Sequence, residues 1–393
     1  MIYVGIDVAK NKHDCCILSN DGKQTLSSFS FKNHSEGYSK LYSQISRFEK
    51  DPSMVEVGME NTGHYSLNLA RWLEEQGYKL TCFNPMQTNQ FNRSQSLRRT
   101  KTDKADAKAI ATVLYLGQVK PVKRSNAILE DLKFLTRHRH RLLQQKGTLT
   151  VSITRLLDII FPELSKFVTN VHTNYVYDLL DAYPTTKDIL EADLESLSSI
   201  VNKSSHGHHG LQYAIDIQAL AKDSIGYSNE ALAFELRQTI RLVRILEDEI
   251  DKLDDKIEDL MDELKSPITT IPGIGMTLGA IILAEIGDIE NFPSAEKLQA
   301  FAGLDPTISQ SGQYKASQSH MVKRGSSYLR YAIGYATRLA VTKDDYFKAF
   351  YQKKRDEGKP YGVAMGHCCK KMIRIMFHIL KTGEKYNLKN SPE

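Results

Sequence analysis

The chain has 393 residues, room for two or three domains, and is 41% apolar and 25% charged, the balance of an ordinary folded protein. That composition excludes a mostly disordered or collagen-like chain. No apolar run approaches the roughly 20 residues of a membrane span, so no membrane partner is expected. The net charge is +5, but it is unevenly spread. Residues 1–92 hold 9 basic and 10 acidic side chains, 93–155 hold 15 and 4, 156–310 hold 11 and 27, and 311–381 hold 15 and 4. Two blocks of net +11 thus flank an acidic middle of net −16. Clustered Lys and Arg are the footprint of a polyanion-binding surface. One such block is equally a solvated helix face; two of equal size favour nucleic acid. The opening MIYVGIDVAKNKHD carries an Asp inside its apolar stretch and no small-residue cleavage site, unlike a signal peptide. Five Cys without a C-x-x-C suit a reducing cytoplasm.

In chain order, residues 2–8 and 14–19 read as strands joined by a turn at Lys10–His13, and Gln24–Phe31 completes a meander. Met54–Met59 is a further strand running into Glu60. His64–Gln76 is helical, Gly77 ends it, and Lys79–Phe83 is a strand stopped by Asn84-Pro85. Strand, helix, strand in this order implies a mixed sheet. Asp103–Leu116 is helical, and Asn126–Ile160 predicts one long basic helix. Residues 163–230 are helical but interrupted, most clearly at 204–210. From Leu236 to Leu264 apolar residues recur in steps of three and four, the seam of a coiled coil, predicting an antiparallel hairpin or a dimer contact. Pro267 stops it. The remainder is mainly helical, with loops at 303–312 and 325–327.

Three constellations carry possible chemistry. Asp7 lies mid-strand between Ile6 and Val8, where an acid is costly unless compensated. Glu60 follows a strand end, and Asp103 and Asp106 share one helix face. Together they offer hard oxygen ligands for a pair of Mg²⁺ ions in phosphoryl transfer; as first-turn acids Asp103 and Asp106 also complement the helix dipole. Ile271-Pro272-Gly273-Ile274-Gly275 looks like the hairpin of a helix-hairpin-helix element, in which Gly273 and Gly275 let backbone approach a phosphate; a plain turn between packed helices has the same letters. Ser309, Ser311 and Gly312 sit on a loop ahead of His320, Lys323 and Arg324. From pattern alone these are turn residues. His206, His208 and His209 lack carboxylate or Cys neighbours at ligand spacing and read as a polar loop. No G-x-x-x-x-G-K-[ST] is present, so no NTPase site is indicated. Cys368-Cys369 reads as packing.

With these residues in view, the chain resembles the DEDD transposases of bacterial insertion sequences, the Piv-type family with a RuvC-like N-terminal domain, whose best-studied members are described as bridge-RNA-guided recombinases. The resemblance rests on GIDVAKNKHD, the Glu of GMENTGHY, KTDKADA, IPGIGMTLGAIILAEIGDI, AGLDPTISQSG and KRGSSYLR, and covers nearly the whole chain. It implies an α/β plus α architecture: an RNase H-like, RuvC-like mixed-sheet catalytic domain at 1–160, a helical coiled-coil connector and dimerisation segment at 161–265, and a mainly α transposase domain at 266–393. Asp7, Glu60, Asp103 and Asp106 match the family's four metal-binding acids. Ser311 best matches its catalytic serine, which forms a covalent phosphoserine link to DNA. The family loop often reads Ser-Ser-Gly, so Ser309 is the second candidate. In the family the site is composite, with its two domains contributed by different subunits. Implied partners are DNA, a guide RNA from the same element, and further copies of the chain as a homodimer or homotetramer, acting in a bacterial cytoplasm at the nucleoid. Lys101 and Lys104 lie beside the acids as candidate backbone contacts, followed by Arg98, Arg99, Lys323 and Arg324. Two other readings compete: a RuvC-like structure-specific nuclease using metal-activated water, and a helical nucleic-acid-binding protein without catalysis.

Overall fold

The computed structural model describes residues 1–60, 63–83, 88, 91, 102–117, 126–306, 310–311, 314–315 and 321–387. It divides into two compact units, Met1–Ser125 and Asn126–Glu393.

The first unit is built on a five-stranded sheet. Its strands are β1 (Ile2–Asp7), β2 (Lys12–Leu18), β3 (Gln24–Lys32), β4 (Val55–Glu60) and β5 (Lys79–Phe83), in spatial order β3-β2-β1-β4-β5. β1 pairs antiparallel with β2, and β2 with β3, while β1, β4 and β5 run parallel. This is the mixed sheet expected of an RNase H-like domain. β1 and β4 share a burial pattern because both lie in the middle of the sheet with both faces covered.

Helices α1 (Ser35–Ser46) and α2 (Leu67–Glu75) cover one face. Leu41, Ile45, Leu69 and Leu73 pack there on Val4, Ile6, Val57 and Met59. α1 was absent from the sequence-based elements. Helix α3 (Asp103–Leu116) covers the other face through Ala107, Ile110, Ala111 and Leu114. The Thr102 side chain caps α3 by accepting from the Ala105 N–H at 3.3 Å, and Gly117 ends it in the left-handed conformation. Gly5 sets how close α3 lies: a Cβ there would stand 2.3 Å from the Ala107 carbonyl oxygen and 2.3 Å from the Ala111 nitrogen.

In the second unit a long helix α4 (Ala127–Ile160) opens under an Asn126 cap that accepts from the Leu129 N–H at 2.8 Å. Short helices follow: α5 (Leu164–Phe167), α6 (Asn174–Ala182), α7 (Thr186–Glu191), α8 (Leu194–Ser204) and α9 (Leu211–Lys222). The expected 204–210 break falls between α8 and α9. The long α10 (Glu230–Leu264) begins six residues before the first predicted seam position. α4 and α10 run antiparallel, as their ion pairs record: Arg139 with Asp254 at 2.5 Å, Lys146 with Glu247 at 2.7 Å and Arg155 with Glu235 at 2.6 Å. The apolar seam of α10 is therefore occupied within the chain. Leu236, Ile240 and Val243 join the core formed with α4 and α6–α9, and Ile257 joins the next core. Because α4 packs on α10, it belongs to the second compact unit, whereas the sequence-based division at 160 placed it with the first.

The remaining elements are α11 (Met276–Ile286), α12 (Ala295–Ala302), a short hairpin β6 (Gln310–Ser311) and β7 (Tyr314–Lys315), α13 (Ser327–Lys343), α14 (Asp345–Asp356) and α15 (Tyr361–Thr382). Their core centres on Ile268, Ile282, Leu298, Ile333, Phe347, Met372 and Met376. All five cysteines are buried thiols. Among the described residues no helix is long and apolar enough to cross a membrane.

Candidate active site

The sheet order brings the predicted acids to one place. Parallel pairing of β1 and β4 puts Asp7 and Glu60 at the same ends of neighbouring strands. Packing of α3 on β1 at Gly5 sets its first turn, with Asp103 and Asp106, beside them. The consequence is electrostatic. Burial pushes the Asp7 carboxyl up to about 6, and Asp106, Glu60, Asp103 and Asp14 push in the same direction by repulsion.

Asp14 is a fifth acid that the sequence reading left without a role. The β1–β2 register sets Asp14 opposite Asp7. It is 2% exposed and accepts a hydrogen bond from the Ser30 hydroxyl at 2.6 Å. Lys12 lies between two acids, 3.4 Å from Asp14 and 3.8 Å from Asp103. The buried Thr88 hydroxyl donates to a Glu60 carboxylate oxygen. Strands at 2–8 and 14–19 would set Asp14 opposite Val8 rather than Asp7, so the observed register is needed to find it; no sequence signal points to Thr88.

Among the described residues no group of three or more His, Cys, Asp or Glu side chains is already gathered into a metal site. The donor chemistry nevertheless fits a divalent cation. The donors are hard carboxylate oxygens, they repel one another, and Lys12, the ammonium that pairs with Asp14 and Asp103, is half exposed at 52%. Lys104 is exposed on the first turn of α3. Arg98, Arg99 and Lys101 lie outside the described residues.

In the second unit Ser311 lies on β6, opposite Tyr314 of β7. Ser309 and Gly312 lie outside the described residues. The segments on either side of this hairpin are tied together. Pro306 bridges Met321, the Val322 N–H donates to Asp305 O at 2.9 Å, and the Lys323 N–H donates to Gly303 O at 3.2 Å. Arg330 adds hydrogen bonds to the carbonyls of Ala302 and Lys323 at 3.2 and 3.3 Å. Lys323 and Arg324 are exposed on this strap.

Behind the strap lies a buried polar group. Glu285 of α11, 3% exposed, takes a paired bond from Arg137 of α4 at 2.6 and 2.9 Å and accepts from the Ser326 hydroxyl at 2.7 Å. Burial alone would raise the Glu285 carboxyl; the bonds from Arg137 and Ser326, with the charges of Arg137 and Lys133, outweigh it and hold the carboxyl below its usual range. Ser326 also caps α13 through the Leu329 N–H at 3.1 Å. The pair thus fixes where the strap enters α13.

The two glycines of the 271–275 turn differ. Gly273 has φ +84°, and a Cβ there would stand 2.4 Å from the Ala336 carbonyl oxygen, so its bare face is packed against α13. Gly275, which precedes α11, opens onto free space. The 206–209 histidines include a stacked pair, His209 on Tyr213 at 4.0 Å.

Comparison with known proteins bears on both units. A transposase family model of the DEDD, IS110 type matches residues 4–162, and one described as transposase IS116/IS110/IS902 family matches 265–352. The first span contains Asp7, Glu60, Asp103 and Asp106; the second contains Ser311. The pilin gene-inverting protein of Moraxella bovis is 24% identical over 394 residues, covering 98% of this chain and 97% of that protein. The insertion element IS116 44.8 kDa protein of Streptomyces clavuligerus is 23% identical over 390 residues, covering 97% and 94%. The mini-circle putative transposase for IS117 of Streptomyces coelicolor is 23% identical over 408 residues, covering 98% and 95%. Among solved structures, Thermus thermophilus RuvC aligns over 31% of this chain and 100% of its own at 17% identity, with a TM-score of 0.23. With both family models in chain order and relatives alike from end to end, the chain belongs to the IS116/IS110/IS902 family of insertion-sequence transposases.

Proposed function

We propose that this transposase cuts and rejoins DNA with a carboxylate site at Asp7, Glu60, Asp103 and Asp106 and with Ser311 as nucleophile. The observation that carries the proposal is the crowding around Asp7: burial and four neighbouring acids raise its carboxyl to about 6, an arrangement that a divalent cation relieves. Asp7, Glu60, Asp103 and Asp106 would hold Mg²⁺, as one or two ions, which when bound supplies charge neutralisation at a scissile phosphate. Asp14, through Lys12, restrains the Asp103 side of the group, and Thr88 orients Glu60.

The Ser311 hydroxyl gives up its proton and attacks phosphorus, the P–O bond to a DNA oxygen breaks, that oxygen takes up a proton and leaves as a DNA hydroxyl, and the protein is left joined to DNA as a phosphoserine ester. Reversal with a different DNA hydroxyl rejoins the strand and frees the serine. A hydroxyl is a weak nucleophile at its ordinary pKa and needs an acceptor for its proton. Guide RNA from the same element, and assembly as a homodimer or homotetramer, complete the proposal. It draws support from the family and from the two net +11 blocks. The test is strand exchange on element-end DNA with Mg²⁺. Asp7→Asn and Ser311→Ala should each abolish it, and each should lose the covalent adduct under conditions where strands are still bound. Full recombination by Ser311→Ala would refute the serine step. RNA sequencing of material co-purified with the protein should find one structured transcript encoded beside the gene.

A further inference from the structure

The region 345–381 carries nine Lys or Arg against three Asp or Glu, and the proposed chemistry uses none of them. Two stripes face each other there. On α15, His367, Lys370, Lys371 and Arg374 recur at intervals of three, one and three, which places them on one helix face. On α14, Tyr346, Phe350 and Lys354 recur every four residues. Between the stripes lies a groove of about 250 Å³ lined by Phe350, Lys354, His367, Lys370, Lys371 and Arg374.

Both rings and carboxylates hold the cations in this groove. The Lys371 ammonium lies 4.6 Å from the Tyr346 ring centre and 4.7 Å from that of Phe350, and Lys354 lies 5.6 Å from Phe350. Lys354 pairs with Glu357 at 2.8 Å at one end, and Arg374 reaches Glu296 at 4.0 Å at the other. Lys370 and Lys371, in the middle, form no ion pair among the described residues. The groove is electropositive enough to act on its own histidine. His367 is held below its usual range by partial burial first, then by Lys354, Lys359 and Lys370, with Glu357 opposing.

We infer that the α14–α15 groove binds the phosphodiester backbone of a nucleic acid, separately from the residues proposed to perform strand exchange. The inference rests on the reading of the chain as a nucleic-acid enzyme and adds a second place of contact. The geometry suits that ligand. Seven helical positions span roughly 10 Å, so the α15 stripe is long enough to lie along a short run of neighbouring phosphates on one strand. An aromatic floor that holds ammonium groups upright keeps them ordered without neutralising them.

The test measures binding of the full-length protein to duplex DNA and to single-stranded RNA of random sequence across a salt series. Lys370→Gln/Lys371→Gln/Arg374→Gln should lower the slope of log affinity against log salt by about 2 to 3 on duplex DNA, or about 2 on single-stranded RNA. The nucleic acid whose slope falls is the one the groove holds, and a fall on both means that it takes either. Lys371 leans on two rings, so Lys370→Glu alone is the second variant; it should lower the slope by about 1 with an unchanged circular dichroism spectrum. Lys252→Gln, on α10, should leave the slope as it is. Unchanged slopes in both groove variants, with wild-type binding intact, overturn the groove alone and leave it to an acidic protein partner. Failure of the wild-type protein to bind either nucleic acid overturns the groove together with the reading beneath it.

Discussion

Gly5→Ala tests how the carboxylates are brought together. The added methyl would stand 2.3 Å from the Ala107 carbonyl oxygen, 2.3 Å from the Ala111 nitrogen and 2.8 Å from the Ala111 Cα. All three are backbone atoms of α3, so no side-chain rotation relieves the clash. Restoring ordinary contact moves α3 away from β1 by roughly 1 Å. Overpacking of this kind costs about 1–3 kcal/mol, or roughly 5–15 °C of melting temperature for a unit of this size. The same shift carries Asp103 and Asp106 away from Asp7, and a 1 Å misplacement of reacting groups can reduce rate about 100-fold. Thermal melting followed by circular dichroism reads the first effect, and Mg²⁺-dependent strand exchange on element-end DNA reads the second. An alanine variant with wild-type melting and wild-type activity would show that α3 is not held against β1 at this glycine, and the assembly of the acids would need another explanation.

Further expectations follow from the same geometry. The raised Asp7 carboxyl binds a proton more tightly in the folded chain than at its unfolded value of 3.8. Its stabilising contribution is therefore complete below about pH 4 and is lost as pH rises through about 6. Melting temperature without metal should fall across that window. Mg²⁺ should raise it above pH 6 and have little effect near pH 4, and Asp7→Asn should flatten the profile; a metal-free melting curve indifferent to pH would contradict this. Glu285→Ala leaves the Arg137 guanidinium and the Ser326 hydroxyl without their acceptor and should destabilise by about 3 kcal/mol. Chemical denaturation checks that loss, and an effect under 1 kcal/mol would show the pair to be dispensable.

How much of this could be read from the sequence varies residue by residue. Asp7 was legible because a carboxylate between Ile6 and Val8 in a strand needs compensation. The structure supplies the burial and adds the repulsion. The same reasoning applies to Glu285, an acid in an otherwise apolar helix, yet it was passed over because its partner Arg137 lies 148 residues away. Asp14 was hidden by strand bounds. With β2 starting at Lys12 rather than at 14, the hairpin register brings Asp14 opposite Asp7. Helix α1 was missed because it buries little beyond Gly37, Leu41 and Ile45, and its position depends on the sheet beneath it.

The seam of α10 was legible as a seam, but not its occupant. Its apolar spacing is the same whether it packs against a second chain or against α4 of its own. The choice lies in ion pairs such as Arg139 with Asp254 that join positions over a hundred residues apart. That pairing also explains the unit boundary at 125/126, since a long basic helix reads alike whichever unit it joins. The letters around Gly273 fit either a phosphate contact or a plain turn between packed helices. The packing of Gly273 against Ala336 is a tertiary fact that no local pattern encodes.

Strand exchange through Ser311 requires one covalent bond between the protein and DNA. The protein should be incubated with Mg²⁺ and element-end DNA, quenched in denaturant, digested with protease and nuclease, and mapped by mass spectrometry. The expected result is a nucleotide phosphate on the peptide containing Ser311, absent from Ser311→Ala and from Asp7→Asn. Cleaved DNA with no protein-linked product, or a link at Ser309, would contradict it.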